Sequence, residues 1–503
     1  MIEIYIYLIV ICSVIIRMSL YFYKIERTSA LYTDELGHLE VEEDISKTCK
    51  IKDENKEKQI LDKQYYYVKS INYPSLYHRL IIFLIPSASL KFKRRLSNFF
   101  GILMMILFTF LFYNDFQVST LLLVSSFMLV SLTSFGFFAK SWSTYSERAF
   151  ADFIIFSSFM LMFLYLYENN IYYLYSSLFP LSLIWFSSKF GRQAIIFIPL
   201  VYLIISGDNS LLLIVAVSFF IALLVDNKTL LNSLEGQFGH LYWYSRNSNW
   251  LKNDRKLSFD SLKNVYLSIT SLPTVNMLLQ FIPIFPILLV FIFLEGNENH
   301  ILLLLSSMLV SVVTTLKYFL FIGPSYRYTY YFLPLIMAIF IEEYFLIAFF
   351  YVLFEFLISI FLGYKILTNK NEKEYSKSYE EYKNIFIQLD IRNKNILTSP
   401  IRLADVPKDG ILNKFYTSQY QTSDPDIINS FEKYMQTYPY IINKKEKLDE
   451  MVSKYNFEIF IIDKIITDSF YKKDGAYSEF VYDKEVLYES NRFLVVNLKN
   501  EKI

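Results

Sequence analysis

The sequence predicts an α-helical polytopic membrane protein with about eleven transmembrane helices, followed by a small C-terminal α/β soluble domain. Three observations predict it. The chain is 54% hydrophobic and 19% aromatic, too apolar for an ordinary soluble enzyme. Its hydrophobic runs approach the roughly 20 residues a helix needs to cross a bilayer, without the alternation of a membrane β-barrel. From about residue 365 the composition turns soluble, over a length sufficient for a small domain. The 48 Phe and 42 Tyr suit lipid-facing and interfacial surfaces.

Net charge is +1, so nothing steers the whole chain toward nucleic acid or another polyanion. Cys12 and Cys49 form neither a zinc spacing nor a disulfide framework. The N-terminus lacks the basic region and small-residue cleavage site of a signal peptide and reads as an uncleaved span.

Taken in order, the first span covers residues 2–23, with Arg17 near one end. A polar loop, residues 24–97, follows. It opens with Thr33-Asp34-Glu35-Leu36-Gly37-His38-Leu39 and closes with Tyr73-Pro74-Ser75-Leu76-Tyr77-His78-Arg79. If the opening is helical, Asp34 and His38 share a face. Two of the four histidines fall in this loop, where a general base or a metal ligand is useful. Residues 40–63, dense in Glu, Asp and Lys, read as a solvated, partly mobile insertion. Residues 75–90 are amphipathic, interrupted by Pro86, and expected to lie along the interface. The run Lys91-Phe92-Lys93-Arg94-Arg95 is expected to meet lipid headgroups.

Further spans begin near Asn98, Val118, Phe150, Ile171, Ala194, Leu211, Val275, Ile301, Tyr330 and Tyr344. Those flanking Pro199 and Gly207 are short, which predicts tilted, broken or re-entrant helices. The turns fall into two sets. One is short and free of Lys and Arg; the other holds the first loop, residues 140–148, 189–192, 226–271 and 323–327, and the tail. In the tail, residues 395–398, 458–463, 486–488 and 493–496 read as strands, and Asp424-Pro425 as the start of a helix toward Met435.

Each candidate residue has a plain alternative. Asp34 and Glu35 are of the kind that usually only solvates a loop or a helix start. His38 and His78 suit polar tips of an interfacial helix, and Arg327 a headgroup anchor. Glu147 and Arg148 can pair as a surface salt bridge worth little. His240, with Tyr242, Trp243, Tyr244 and Arg246, reads as an interfacial aromatic cluster. What favours function is that Asp, His and Arg gather on one face of the membrane.

Asp34-Glu35 just after the first span, then Tyr73-Pro74-Ser75-Leu76-Tyr77-His78, Arg95-Leu96-Ser97 at the second span, and Arg327-Tyr328 before the span with Pro334 follow a familiar order. In this order the membrane part resembles the GT-C superfamily of integral-membrane glycosyltransferases, which includes protein O-mannosyltransferases and the aminoarabinose transferases of lipid A. The resemblance implies a domain of residues 1–364 that moves a sugar, with inversion, from a polyprenyl-phosphate donor to a glycan, lipid or protein acceptor. It implies that Asp34 is the catalytic carboxylate, with Glu35 and Glu147 as further acidic candidates. It places His38, Tyr73, His78, Arg79, Arg148, Arg327 and Tyr328 around the substrates, Arg327 nearest the donor phosphate. Asp34, Glu35, His38 and Glu147 are candidate ligands for a divalent cation, Mg or Mn. Two departures are the long charged insertion in the loop and Pro74-Ser75 in place of a proline pair.

The expected setting is the plasma membrane, with the N-terminus cytoplasmic and the site and residues 365–503 extracytoplasmic. The positive-inside rule, applied to Lys140, Lys189 and Arg192 in short turns, argues for the opposite orientation; the resemblance implies the extracytoplasmic one. The alternative is a transporter or flippase for polysaccharide or lipid-linked oligosaccharide, which should display paired halves that this sequence lacks. A membrane scaffold is a further alternative.

Overall fold

The computed structural model describes residues 2–25, 31–32, 34–48, 51, 54–66, 71–130, 144–246, 298–314, 319, 322, 326–368, 370–406, 413–416, 441–442 and 444–501. In chain order the helices begin with α1 (Ile2–Ile25), α2 (Asp34–Thr48), α3 (Glu54–Gln64), α4 (Leu76–Leu84), α5 (Leu90–Leu111) and α6 (Val118–Val130). Next come α7 (Arg148–Glu168), α8 (Ile171–Ser187), α9 (Lys189–Ser206), α10 (Ser210–Val225), α11 (Asn227–Arg246) and α12 (Asn299–Val313). The membrane-type helices end with α13 (Tyr326–Tyr330), α14 (Leu333–Glu343) and α15 (Phe345–Thr368). The tail adds α16 (Lys370–Gln388), β1 (Asn395–Ser399), a 3-10 helix (Ile401–Asp405), β2 (Lys414–Phe415) and α17 (Lys445–Tyr455). It finishes with β3 (Ile459–Asp463), α18 (Lys464–Tyr471), α19 (Ser478–Val481), β4 (Lys484–Glu489) and β5 (Phe493–Glu501).

The chain forms two compact units. One comprises Met1–Glu26, Ser87–Leu230 and Leu251–Asn369, the other Arg27–Pro86, Leu231–Trp250 and Lys370–Ile503.

The first unit is a helical bundle whose helices lie at the predicted span positions; the span near Val275 and the turn Gly323-Pro324-Ser325 lie outside the described residues. Among the described residues, Leu90–Leu111, Arg148–Glu168 and Lys189–Ser206 are long and apolar enough to cross a membrane, and several apolar helices are shorter. Core helix α7 packs against α5, α8 and α12, and buries residues on all sides, as a helix apolar all round should. Of the three expectations for this segment, tilted, broken or re-entrant, a break at Pro199 is not observed, since the proline sits inside an 18-residue helix, α9. Membrane helices tolerate proline because neighbouring groups re-satisfy the freed carbonyl.

The basic run after Pro86 also departs from its expected role. Ser89 caps α5 by accepting a hydrogen bond from the Phe92 amide at 3.3 Å, and Lys93 and Arg94 are buried. Lys93 Nζ stands 5.3 Å from the centroid of the Tyr145 ring, so this face of the run is turned into protein. Arg17 does the same, donating to Asn98 Oδ1 at 3.1 Å.

The second unit is built on a five-stranded sheet of order β2-β1-β3-β5-β4, parallel from β2 to β3 and antiparallel from β3 to β4. The predicted strands are present; the predicted helix at Asp424-Pro425 lies outside the described residues. Strand side chains alternate between faces. Ile459, Ile461, Phe493 and Val495 enter one core with Tyr382 and Phe386 of α16 and with Leu36, Leu61 and Tyr65. Phe460, Ile462, Leu494 and Val496 enter the other, with Leu448 and Met451 of α17.

One sheet face is therefore covered by helices from the first loop. This corrects the reading of residues 40–63 as a solvated insertion for the buried side of α2, while Lys56, Lys58 and Lys63 of α3 are exposed. Glu40 and Asp44 are buried, and the Tyr65 hydroxyl donates to Glu40 Oε1 at 2.6 Å and lies 3.1 Å from Asp44 Oδ2. Two acids that read as solvent-facing, Glu40 and Asp44, are internal partners of a core tyrosine.

Candidate active site

Within the second unit, α2 begins at Asp34 and places Glu35 and His38 on its buried sides. The Asp34 side chain is 43% exposed, and Arg402 Nη2 approaches its Oδ1 at 3.5 Å. Arg402 comes from the 3-10 helix after β1, which packs on α2. The carboxylate is thus oriented by a guanidinium and still approachable from solvent. A carboxylate so placed can accept a proton from a bound hydroxyl or amide.

One turn further along α2, His38 meets α4. Its Nδ1 lies 3.3 Å from Nε2 of His78, with the rings stacked 21° from parallel. Tyr73 closes the pair edge-on, its ring 5.9 Å from His38 and 6.1 Å from His78. Both imidazoles are buried. They are packed inside protein and are not the polar tips of an interfacial helix. Arg79, on the exposed face of α4, donates from Nε to Ser75 Oγ at 3.0 Å and is turned away from buried His78.

The remaining candidates belong to the first unit. Glu147 and Arg148 stand at the start of α7, Glu147 buried and Arg148 partly so. Lys189, opening α9, feels the charges of Glu147 and Arg192. Arg327 on α13 is not a headgroup anchor. It is nine-tenths buried and pairs through Nη2 with Asp152 Oδ1 at 3.3 Å. Its guanidinium lies 4.1 Å from the centroid of Phe190, whose ring also contacts Tyr328 at 4.9 Å. Tyr331 adds a hydrogen bond to Asp152 Oδ1 at 2.8 Å. A buried, braced arginine of this kind is a strong fork for a phosphate or carboxylate.

Sequence reasoning missed Arg402, Asp152, Tyr331 and Arg192. Arg192 is fully buried and gives Nε to the Trp185 carbonyl at 2.8 Å. The available signal for Asp152 was an ionisable residue inside an apolar run, which marks function by default in a membrane helix; Arg192 lay in a predicted turn and gave no such signal. Arg402 carries no sequence signal at all, because its partner lies in the first loop. Also unforeseen is a buried knot in the second unit. Asp463 Oδ2 accepts from Arg492 Nε at 2.8 Å and from the Tyr32 hydroxyl at 2.7 Å, while Arg492 Nη1 donates to Ser378 Oγ at 2.8 Å. Burial, then the Asp463 charge, pushes the Tyr32 phenol up from its ordinary range.

Of the proposed cation ligands, Asp34, Glu35 and His38 share α2, and Glu147 belongs to the other unit. Arg402 stands beside Asp34, while His38 pairs with a second imidazole.

No protein-family model matches the chain, and no curated protein does. Among solved structures, it is similar to the oligosaccharyltransferase of Archaeoglobus fulgidus in the apo form, at 12% identity and a TM-score of 0.51, over 96% of this chain and 73% of that one. The same enzyme tethered to an acceptor peptide matches at 11% identity and a TM-score of 0.50, over 98% and 74%. ArnT from Cupriavidus metallidurans, bound to undecaprenyl phosphate, overlaps 97% of both chains at 11% identity and a TM-score of 0.44. At such identities the likeness to the oligosaccharyltransferase is one of fold: a polytopic helical part followed by a small C-terminal sheet domain.

Proposed function

We propose that the protein is a glycosyltransferase that moves a sugar from a polyprenyl-phosphate donor to an extracytoplasmic acceptor, with inversion at the anomeric carbon. The observation that carries this reading is Asp34: a solvent-approachable carboxylate at the head of α2, oriented by Arg402, in a chain whose fold is that of an oligosaccharyltransferase. The order of sequence motifs around it supports the choice of donor.

In the proposed reaction the acceptor's nucleophilic oxygen or nitrogen forms a bond to the anomeric carbon and gives its proton to Asp34. The bond from that carbon to the phosphate oxygen breaks, and polyprenyl phosphate leaves with the electron pair. Because the transition state has oxocarbenium character and negative charge builds on phosphate, the leaving group calls for a fixed cation. By the order of sequence motifs Arg327 is assigned that role, and within its own unit its ion pair with Asp152 and its stacking on Phe190 hold the guanidinium fixed. Glu35 and Glu147 are assigned as further catalytic acids, Arg148 and Tyr328 to substrate positioning, and a divalent cation to charge neutralisation.

The test uses purified protein in liposomes loaded with polyprenyl-phosphate sugars. The reading expects release of polyprenyl phosphate and appearance of glycosylated acceptor. Movement of intact sugar lipid across the bilayer, with no bond broken, would replace this reading with the transporter. Orientation is tested separately on intact cells, with Cys12 and Cys49 replaced by serine. Single cysteines at the exposed positions Ser46 and Asp449 should react with an impermeant thiol reagent from outside; labelling only after lysis would reverse the topology.

A further inference from the structure

We infer that His38 and His78 are two ligands of a transition-metal site in the second unit, suited to zinc-like cations and not to magnesium. The inference goes beyond the transferase reading and does not depend on it. Its basis is the geometry of the two rings. Their facing nitrogens, Nδ1 of His38 and Nε2 of His78, are 3.3 Å apart. That is long for a hydrogen bond, which favours 2.7–3.2 Å between heavy atoms. It equals the bite of a shared tetrahedral cation: with metal–nitrogen bonds of about 2.0–2.1 Å, two ligand nitrogens stand about 3.3–3.4 Å apart. The same construction sets the ring centroids at about 5.2 Å, and they are observed at 5.3 Å.

The surroundings fit the same use. The two histidines are held by separate helices, α2 and α4, which pack on one another, so the bite is fixed by the fold and not by a flexible loop. Both rings are buried, and Tyr73 and Tyr77 stand edge-on to His78, which limits rotation of the imidazole. Imidazole donors favour zinc, copper, iron or nickel, whereas magnesium prefers an all-oxygen shell. Two protein nitrogens leave positions for water or for an oxygen of an incoming ligand, the arrangement of an open site and not a closed structural one.

The experiment titrates the full-length protein in detergent with cobalt, after chelation, in a chain without a polyhistidine tag and with Cys12 and Cys49 replaced by serine. The expected result is a visible absorption band saturating at one cobalt per chain, displaced by zinc and not by excess magnesium. His38→Gln and His78→Gln should each weaken binding by more than about tenfold, while His300→Gln leaves it unchanged. Because a variant at a buried histidine can fail to fold, X-ray absorption on the unsubstituted metal-loaded protein provides the second measurement, and should count two imidazole ligands. Absence of a saturating band, a band that survives in both variants, or a shell without imidazole would overturn the site and leave a plain stacked histidine pair. None of these outcomes bears on Asp34.

Discussion

Tyr65 illustrates how single residues bind the first loop to its unit. Its ring is fully buried, and its hydroxyl lies between Glu40 and Asp44. Tyr65→Phe keeps the ring but removes the donor from two buried carboxylates, so it should cost about 1–3 kcal/mol, read as a lower melting temperature in detergent. Burial first, then the charges of Asp44 and Glu40, raises the Tyr65 phenol well above its ordinary value of 10.0. The folded state therefore keeps this proton where the unfolded chain loses it. The stability contributed is complete below about pH 10 and falls as pH rises beyond it, and the slope should shrink in Tyr65→Phe. At this scale the sequence was partly legible. Asp34 and His38 announced themselves by type and spacing, but the pairing of Arg402 with Asp34, and of Tyr32 with Asp463 across 431 residues, exists only once the chain is folded.

Among the elements, the strands were the most legible, because 459–463 and 493–496 are short β-branched and aromatic runs. Residues 34–64 were the least legible, since buried acids and exposed acids look alike until a partner such as Tyr65 or Arg402 is known. Helix α9 lay between these cases. Its proline left tilt, break and re-entry open, of which the continuous helix removes the break, and its glycine has a role that only packing reveals. A Cβ on Gly191 would stand 2.9 Å from both Ile155 Cδ1 on α7 and Ile184 Cγ2 on α8, closer than real contacts allow. Gly191→Ala should therefore destabilise by about 1–3 kcal/mol, and Ile155→Val, which removes one of the two nearest methyls, should recover part of that loss. Equal melting temperatures for Gly191→Ala and the wild type would contradict this packing. Neighbouring Arg192 is buried and gives hydrogen bonds to Trp185. Counted as a free turn charge it spoke for a cytoplasmic face, but a cation already bonded inside the bundle is weak evidence for orientation.

Over the whole molecule, the fold class and the change from membrane to soluble composition near residue 365 were readable from hydropathy alone. The grouping of Arg27–Pro86 with Lys370–Ile503 was not, because no local pattern records that Leu36, Leu61 and Tyr65 share a core with Ile461 and Val495. It follows that residues 365–503 expressed alone should expose one apolar sheet face and aggregate or bind a hydrophobic dye, whereas adding residues 27–86 in trans should suppress both. A well-behaved, cooperatively melting tail fragment would contradict that shared core.

In the proposed sugar transfer, Asp34 takes the acceptor's proton. This step is tested most directly by comparing wild type with Asp34→Asn for release of polyprenyl phosphate from a sugar-charged lipid in the presence of acceptor. The variant keeps shape and a polar head but cannot take the proton, so turnover should fall by about 100-fold or more, with melting temperature and donor binding essentially unchanged. Turnover in Asp34→Asn equal to that of the wild type would contradict the account.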